Sequence, residues 1–418
     1  MKFVMMSVGT RGDMEPFLAI GQGLRDRGHR VTCVFPAQFE SITEQAGLGF
    51  ESLGPDFLDL LDSDLGRAAL GGGGSAYMRL AANVRLASRQ TRVNRELVER
   101  QRELIENQRV DRVLYNGKAI YPVLWEADHP GKTILISPVP FLHYVRGHTH
   151  VAFHTNLGAP LNRLTYALAD FGQAVTAKIS ARWLRRSPAP TLRSLKGVLR
   201  VRRVVYTISP TLFPRPKHWG RNLQVLGHHE RLGKKEWSPS EALQSFLNRH
   251  ADAKILFATF GSMTNPEPKR RTEALVDVLV RNRIPTIINT ASGGLVPLEG
   301  VPPDLIHFTS AIPYEYVFPR VYGVLHHGGS GTTHLALRAG CVTMVVPHII
   351  DQFAWSRIVE ELGVGPAGLS IGEFTASRLE PMILALLSNH GYKKRAQDIG
   401  IRMASEELEE ELFAQLER

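Results

Sequence analysis

Three stretches of this chain hold residue types at spacings that could do chemistry. The densest is His326-His327-Gly328-Gly329-Ser330-Gly331-Thr332, followed a little later by Asp351-Gln352. Small residues at a strand-to-helix turn let backbone N–H groups converge on the helix N-terminus, where the dipole favours an anion. A diphosphate is the expected guest. The same glycines also suit any tight α/β turn on steric grounds alone, so the turn has two readings. The second stretch is Gly9-Thr10-Arg11-Gly12-Asp13, where Asp13 could accept a proton, cap the following helix or pair with Arg11. The third is Gly261-Ser262, a small-residue turn closing an apolar run.

The elements that must carry these residues follow from apolar patterning. Val321–Leu325 and Cys341–Val346 read as strands flanking a helix over Thr332–Ala339, with Pro347 as the stop. Lys2–Val8 and Arg30–Phe35 read as strands around a helix over Phe17–Arg27, the opening of a doubly wound parallel sheet. Further strands are expected at 113–115, 133–136 and 204–209, and a second set at 254–260, 286–289 and 305–308. At 418 residues the chain can hold two full cores. The predicted fold is therefore α/β, with parallel sheets in two domains.

A hydrophobic fraction of 43% and a charged fraction of 22% are ordinary for a globular protein. Cys33 and Cys341 lie far apart at predicted strands, which favours free thiols in a reducing compartment. The opening residues read directly as a strand, and no apolar run has membrane-spanning length, so a cytoplasmic location is expected. The formal net charge of +10 is concentrated: residues 171–229 hold twelve Lys and Arg and no Asp or Glu. Nucleic acid is not the expected partner, because the segment has no nucleic-acid-binding motif. A transient contact with an anionic membrane and a plain solvated helix face both remain readings of it.

Two patterns suggest metal and then lack the ligands for it. Asp62-Ser63-Asp64 sits in an acidic loop far from the glycine turn, before four glycines at 71–74. His143, His148, His150 and His154 lie in one loop, but no carboxylate or cysteine joins them locally. No metal site and no cofactor is expected. Asn162 to Arg186 reads as an amphipathic helix.

The combined pattern resembles one family. His-His-Gly-x-x-Gly-Thr, Leu337-Arg338-Ala339-Gly340 and Asp351-Gln352 look like the donor-binding motif of nucleotide-sugar glycosyltransferases of the GT-B fold, family 1 and relatives. Within that group they are most similar to sterol-type glucosyltransferases and bacterial enzymes that glycosylate antibiotic aglycones. Residues 9–28, Asn162-Arg163-Leu164-x-Tyr166 and Pro214-Arg215-Pro216-x-x-Trp219 extend the likeness over nearly the whole chain. It implies two facing Rossmann-like domains at 1–217 and 218–400, with a C-terminal helix at 401–418 returning to the first. It also implies an inverting, metal-independent glycosyltransferase, with UDP-glucose the expected co-substrate and a sterol, terpenoid or polyketide hydroxyl as acceptor.

Carried over residue by residue, the resemblance makes Asp13 the general base and His327 the phosphate-binding histidine, with Gly329, Ser330, Gly331 and Thr332 completing the turn. Gly12, Gly261 and Ser262 would face the donor, Ile312 would line the base beside Tyr314, and Asp351 and Gln352 would hold the sugar. Asp351 could instead cap the helix that follows. Phe141 and His143 would lie in the loop over the acceptor. Leu335 stands where many relatives carry a ribose-binding Glu, which leaves UDP and TDP both open. The rival readings are a rhamnolipid-type transferase using a TDP-sugar and a lipid acceptor, a UDP-sugar 2-epimerase of the same fold, and a non-catalytic binding scaffold.

Overall fold

The computed structural model describes residues 1–54, 76–231, 237–265 and 267–418, with backbone alone for 76–90 of the helix Ala76–Glu106. Asp62–Asp64 and the glycines at 71–74 fall outside the described residues. Seven strands form one sheet: β1 Lys2–Met6, β2 Arg30–Phe35, β3 Gly49–Ser52, β4 Arg112–Tyr115, β5 Thr133–Ser137, β6 Arg203–Tyr206 and β7 Leu223–Val225. Their order is β3-β2-β1-β4-β5-β6-β7, every pairing parallel. A second, five-stranded sheet holds β8 Leu256–Thr259, β9 Thr286–Asn289, β10 Ile306–Thr309, β11 Gly323–His326 and β12 Val342–Val345 in the order β10-β9-β8-β11-β12. It too is parallel throughout. Such strands read as apolar runs because helices cover both faces. β1, β4, β5, β8, β9, β11 and β12 are buried along nearly their whole length. In each sheet the order reverses beside the first strand of the unit, β1 against β4 and β8 against β11, so each opens a crevice at its strand C-termini.

Three boundaries differ from expectation. The first unit does not end at Lys217, because β7 pairs with β6 and belongs to the first sheet. The two prolines that read as a linker sit in a packed turn. Arg215 there donates to Leu223 O, Trp219 O and Gly220 O, and Trp219 is buried. The opening helix runs Arg11–Asp26, starting well before the apolar repeat, because its first turn is held by polar caps and not by burial. The expected segment 401–418 divides between the end of His390–Ala404 and a separate closing helix, Glu409–Glu417.

That closing helix packs on the first unit. Leu412, Phe413 and Leu416 share a core with Phe17, Leu24 and Val31, each worth about 1.5–3 kcal/mol of burial. Phe413 fits only because residue 23 is glycine: a Cβ there would stand 2.1 Å from its Cζ. His29 Nε2 meets Glu417 Oε1 at 2.9 Å, and Arg203 donates to Gln415 O. The chain's end thus joins the second unit to the first.

Candidate active site

The turn after β11 is built by close approach. Gly328 has φ 93°, and a Cβ on it would lie 2.7 Å from Val345 Cγ1. His326 ends the strand, and its Nδ1 accepts the Gly328 N–H at 3.0 Å, so it supports the turn from below. The His327 ring lies in a slot between two glycines. A Cβ on Gly261 would stand 2.7 Å from its Cε1, and one on Gly329 2.5 Å from its Nε2. Burial holds His326 down to about 3 and His327 well below the usual imidazole range, so both rings are neutral. His327 Nδ1 is buried and has no hydrogen-bond partner. A buried polar atom left unpaired costs about 1–3 kcal/mol unless a ligand satisfies it.

Helix Ser330–Arg338 starts immediately beyond, with Gly329 as its N-cap and no side chain capping it. By helix geometry the N–H groups of Ser330, Gly331 and Thr332 have no intrahelical acceptor. Gly331 has open space beside it. A helix N-terminus, a neutral imidazole with an unmet nitrogen and a glycine-lined approach are the groups that an anion would need here. Tyr314 braces the turn. Its hydroxyl meets Thr259 Oγ1 at 3.2 Å, while burial pushes its phenol up. Tyr314 therefore turns into the sheet end and does not face outward. Ile312 is buried in the core with Phe257 and Phe318, so its side chain packs there. Ser262 is exposed at the same mouth.

Helix Ile350–Glu361 carries the next pair. Gln352 is buried, and its Oε1 accepts from the His348 and Ile349 N–H groups at 2.7 and 3.2 Å. Half of this amide is therefore spent on holding its own helix start, leaving Nε2 as the group free to donate. Asp351, one residue earlier, makes no cap of that kind. Its carboxyl is raised to about 6, by burial first and by the charge of Asp13 after it, against its own backbone N–H and Lys118. Residues 13 and 351 come from different sheets, yet they share one electrostatic neighbourhood.

Asp13 lies at the start of the opening helix. Its Oδ2 accepts the Thr10 N–H at 2.9 Å, so the capping reading holds in reciprocal form: Thr10 is the N-cap and Asp13 reaches back to it. It does not pair with Arg11, which bonds Glu15 instead. Lys118 Nζ bridges both carboxylate oxygens at 2.8 Å. Gly9 makes room for that bridge, since a Cβ there would lie 2.1 Å from Asp13 Oδ2 and 2.7 Å from Lys118 Nζ. Gly12 has nothing within 4 Å of a Cβ position and lies open to the crevice.

The loop from 138 to 158 forms the other wall. His143 Nδ1 shares a 2.6 Å hydrogen bond with the Tyr206 hydroxyl, and burial drives this imidazole down to about 3. Phe141, at φ 59°, is buried with its ring stacked on His148 and edge-on to Phe213. It shapes the loop from inside the core. The remaining histidines also pack: His154 lies against Phe353, with Arg357 donating to His154 O, and His150 rests edge-on to Tyr166. Among the described residues, no three His, Cys, Asp or Glu gather as metal ligands would.

Two groups at this site escaped the sequence reading. Lys118 is 105 residues from Asp13 and is delivered by β4 lying next to β1. Its only trace is the Asn116-Gly117-Lys118 turn, where Asn116 ties Ser7 and Val8 to the strand end. His334 is the second. It sits in the turn helix, donates to Ser330 O at 2.7 Å and accepts the Ser209 N–H at 3.1 Å. A neutral ring, held down to about 4 by burial, so bonds the turn helix to the first unit.

Known proteins resemble this chain in sequence and in fold. Residues 3–91 match the glycosyltransferase family 28 N-terminal domain, and residues 277–418 match the C-terminal domain of erythromycin biosynthesis protein CIII-like proteins. A sterol 3-beta-glucosyltransferase of Arabidopsis thaliana is 30% identical over 444 residues, which takes in 97% of this chain and 64% of that protein. The chain thus spans somewhat under two thirds of that relative's length. The glycotransferase of kitacinnamycin has the same fold, with a TM-score of 0.70 at 18% identity over 99% of each chain. A spinosyn rhamnosyltransferase solved with thymidine diphosphate gives 0.67 at 15% identity over 100% of each. A match to a family 28 domain at one end, a match to an erythromycin CIII-like domain at the other and the fold that joins them liken this chain to the glycosyltransferases with two facing Rossmann-like domains, whose fold it has.

Proposed function

We propose that the chain transfers a sugar, with inversion, from a nucleoside diphosphate sugar to a hydroxyl of an apolar acceptor. The observation that carries this is the unmet Nδ1 of His327, slotted between Gly261 and Gly329 at an uncapped helix start. The diphosphate would lie there, and the sugar would extend toward Asp351 and Gln352 Nε2. The acceptor hydroxyl attacks the anomeric carbon opposite the leaving oxygen and gives its proton to the Asp13 carboxylate. The bond between the anomeric carbon and the diphosphate breaks as the new bond forms.

Each residue then has a physical task. Fixed N–H groups and a neutral imidazole donor stabilise the charge growing on the diphosphate without a metal, because they need no reorganisation at the moment of reaction. Lys118 is half exposed, so it can release one oxygen of Asp13 to the acceptor while still bonding the other. His334, Arg338 with Glu230, and Arg231 with Glu15 hold the two units together, which supplies the orientation that a two-substrate reaction requires. UDP-glucose is the proposed donor, on the likeness to sterol glucosyltransferases. Leu335 supplies no ribose-binding carboxylate, and the thymidine diphosphate of the spinosyn enzyme keeps a TDP-sugar as the second reading.

Calorimetric titration of UDP, TDP and UMP into the wild type and His327→Ala, without metal, tests the donor site. Diphosphates should bind more tightly than UMP, and the variant should lose about 1–3 kcal/mol. Equal binding of UMP and UDP, or a variant indistinguishable from the wild type, would remove the diphosphate from this turn.

A further inference from the structure

Eleven large apolar side chains are exposed among the described residues, and seven of them lie between residues 157 and 201. Scattered singly, such residues need no explanation. These are not scattered. On helix Ala159–Trp183, Leu161, Leu164, Leu168, Phe171 and Ile179 recur at steps of three, four, three and eight, which places them along one line at 100° per residue. Leu161, Leu164 and Leu168 are 52%, 50% and 51% exposed. The opposite side of the helix, with Ala174, Ala177 and Ala181, packs into the core. The helix therefore buries one face and leaves a second apolar face outward.

What surrounds this seam decides its partner. Arg163, Arg182, Arg193, Lys196 and Arg200 are exposed on the helix and on its neighbour Leu192–Val201, and Lys196 Nζ sits 4.9 Å over the Phe171 ring. Asp170, which neighbours Lys196, is the only acid on either helix. An apolar line bordered by cations matches an anionic bilayer surface, where the side chains enter the acyl boundary and the cations meet headgroups. Two copies face to face would set these cations against each other. No described helix is long and apolar enough to cross a membrane, so the contact would lie on the surface.

We propose that helix Ala159–Trp183 docks the protein on an anionic lipid bilayer through this seam. The same helix pins the acceptor-side loop: the His150 N–H donates to Thr165 Oγ1, Tyr166 donates to Thr149 O, and Asn162 donates to Gly147 O. Docking would set the loop that carries His143 against the lipid, from which an apolar acceptor can pass without crossing water. The surface stands without the sugar-transfer reading, and its test does not use turnover.

The test is vesicle flotation of the full chain with phosphatidylcholine vesicles, alone or with about one third phosphatidylglycerol. The wild type should float with the anionic vesicles, weakly with the neutral ones and less as salt rises. The triple variant Leu161→Ser, Leu164→Ser, Leu168→Ser should lose at least tenfold in binding while melting and titrating UDP like the wild type. Arg193→Glu with Arg200→Glu should lose the preference for anionic vesicles. Three results would overturn the proposal: no flotation, flotation unchanged in the triple variant, or self-association by sedimentation that the triple variant abolishes. The last would assign the seam to a second copy of the chain.

Discussion

The two sides of the crevice hold their polar groups by opposite means. On the second sheet, the His327 turn is made by exclusion: glycines at 261, 328 and 329 let a neutral, buried ring and bare N–H groups approach where any Cβ would collide. On the first sheet, Asp13 is held by attraction, between the Thr10 N–H and an ammonium brought from another strand. The first arrangement is rigid and desolvated, suited to a guest whose charge must be met without movement. The second is half open, suited to a group that must exchange a proton. The contrast teaches that the two sites should fail differently.

The largest difference should come from Asp13→Asn. The amide keeps the oxygen that accepts from Thr10 and loses the ability to take a proton, so nucleotide affinity should hold while turnover falls about a hundredfold or more. Parallel calorimetry and initial rates would measure both. A rate within a few-fold of the wild type would leave Asp13 as a helix cap and nothing more.

The matching change on the other sheet is Gly329→Ala. Its Cβ would sit 2.5 Å from His327 Nε2, so the ring must leave its slot or the helix start must shift. Overpacking of this kind costs about 1–3 kcal/mol, so diphosphate affinity should drop by about tenfold or more. Gly197→Ala, on helix Leu192–Val201 of the first unit, is the control, because it meets open space away from the turn. If both variants bind UDP equally well, the slot has no part in nucleotide binding.

These contrasts explain what could be read in advance. Steric need leaves a local trace: Gly328, Gly329 and Gly331 beside His327 announce a turn that only small residues permit. Parallel, doubly covered strands likewise announce themselves as apolar runs, which made the buried strands of both sheets legible, while the edge strand β3, with no fully buried residue, left no such run. Attraction between distant residues leaves none. Lys118 meets Asp13 only because β4 neighbours β1, and no spacing in the chain encodes that. Gln352 shows a middle case, since its Asp-Gln pattern was legible but its oxygen goes to the His348 and Ile349 N–H groups. The proline-rich turn at 214–216 misled because Arg215 folds it into a packed corner, and proline alone does not tell a linker from a corner.

The smallest expected effect sharpens the comparison where the two sides meet. Asp351 belongs to the second sheet, yet its carboxyl is raised to about 6, by burial first and by the charge of Asp13 after it. An acid whose folded pKa lies above its unfolded value binds more protons when folded, so this group costs stability as pH rises from about 4 through about 6. The cost is absent below that window and complete above it. Asp351→Asn removes it and should stabilise the protein at pH 8 by about 1 kcal/mol, after allowance for the carboxyl's partial exposure, with little gain at pH 4. Denaturant melts at both pH values would measure this, and a double variant with Asp13→Asn should show a smaller gain than Asp351→Asn alone gives in the wild-type background. If the two gains are equal, the carboxylates do not sense each other, and the crevice is two independent sites instead of one.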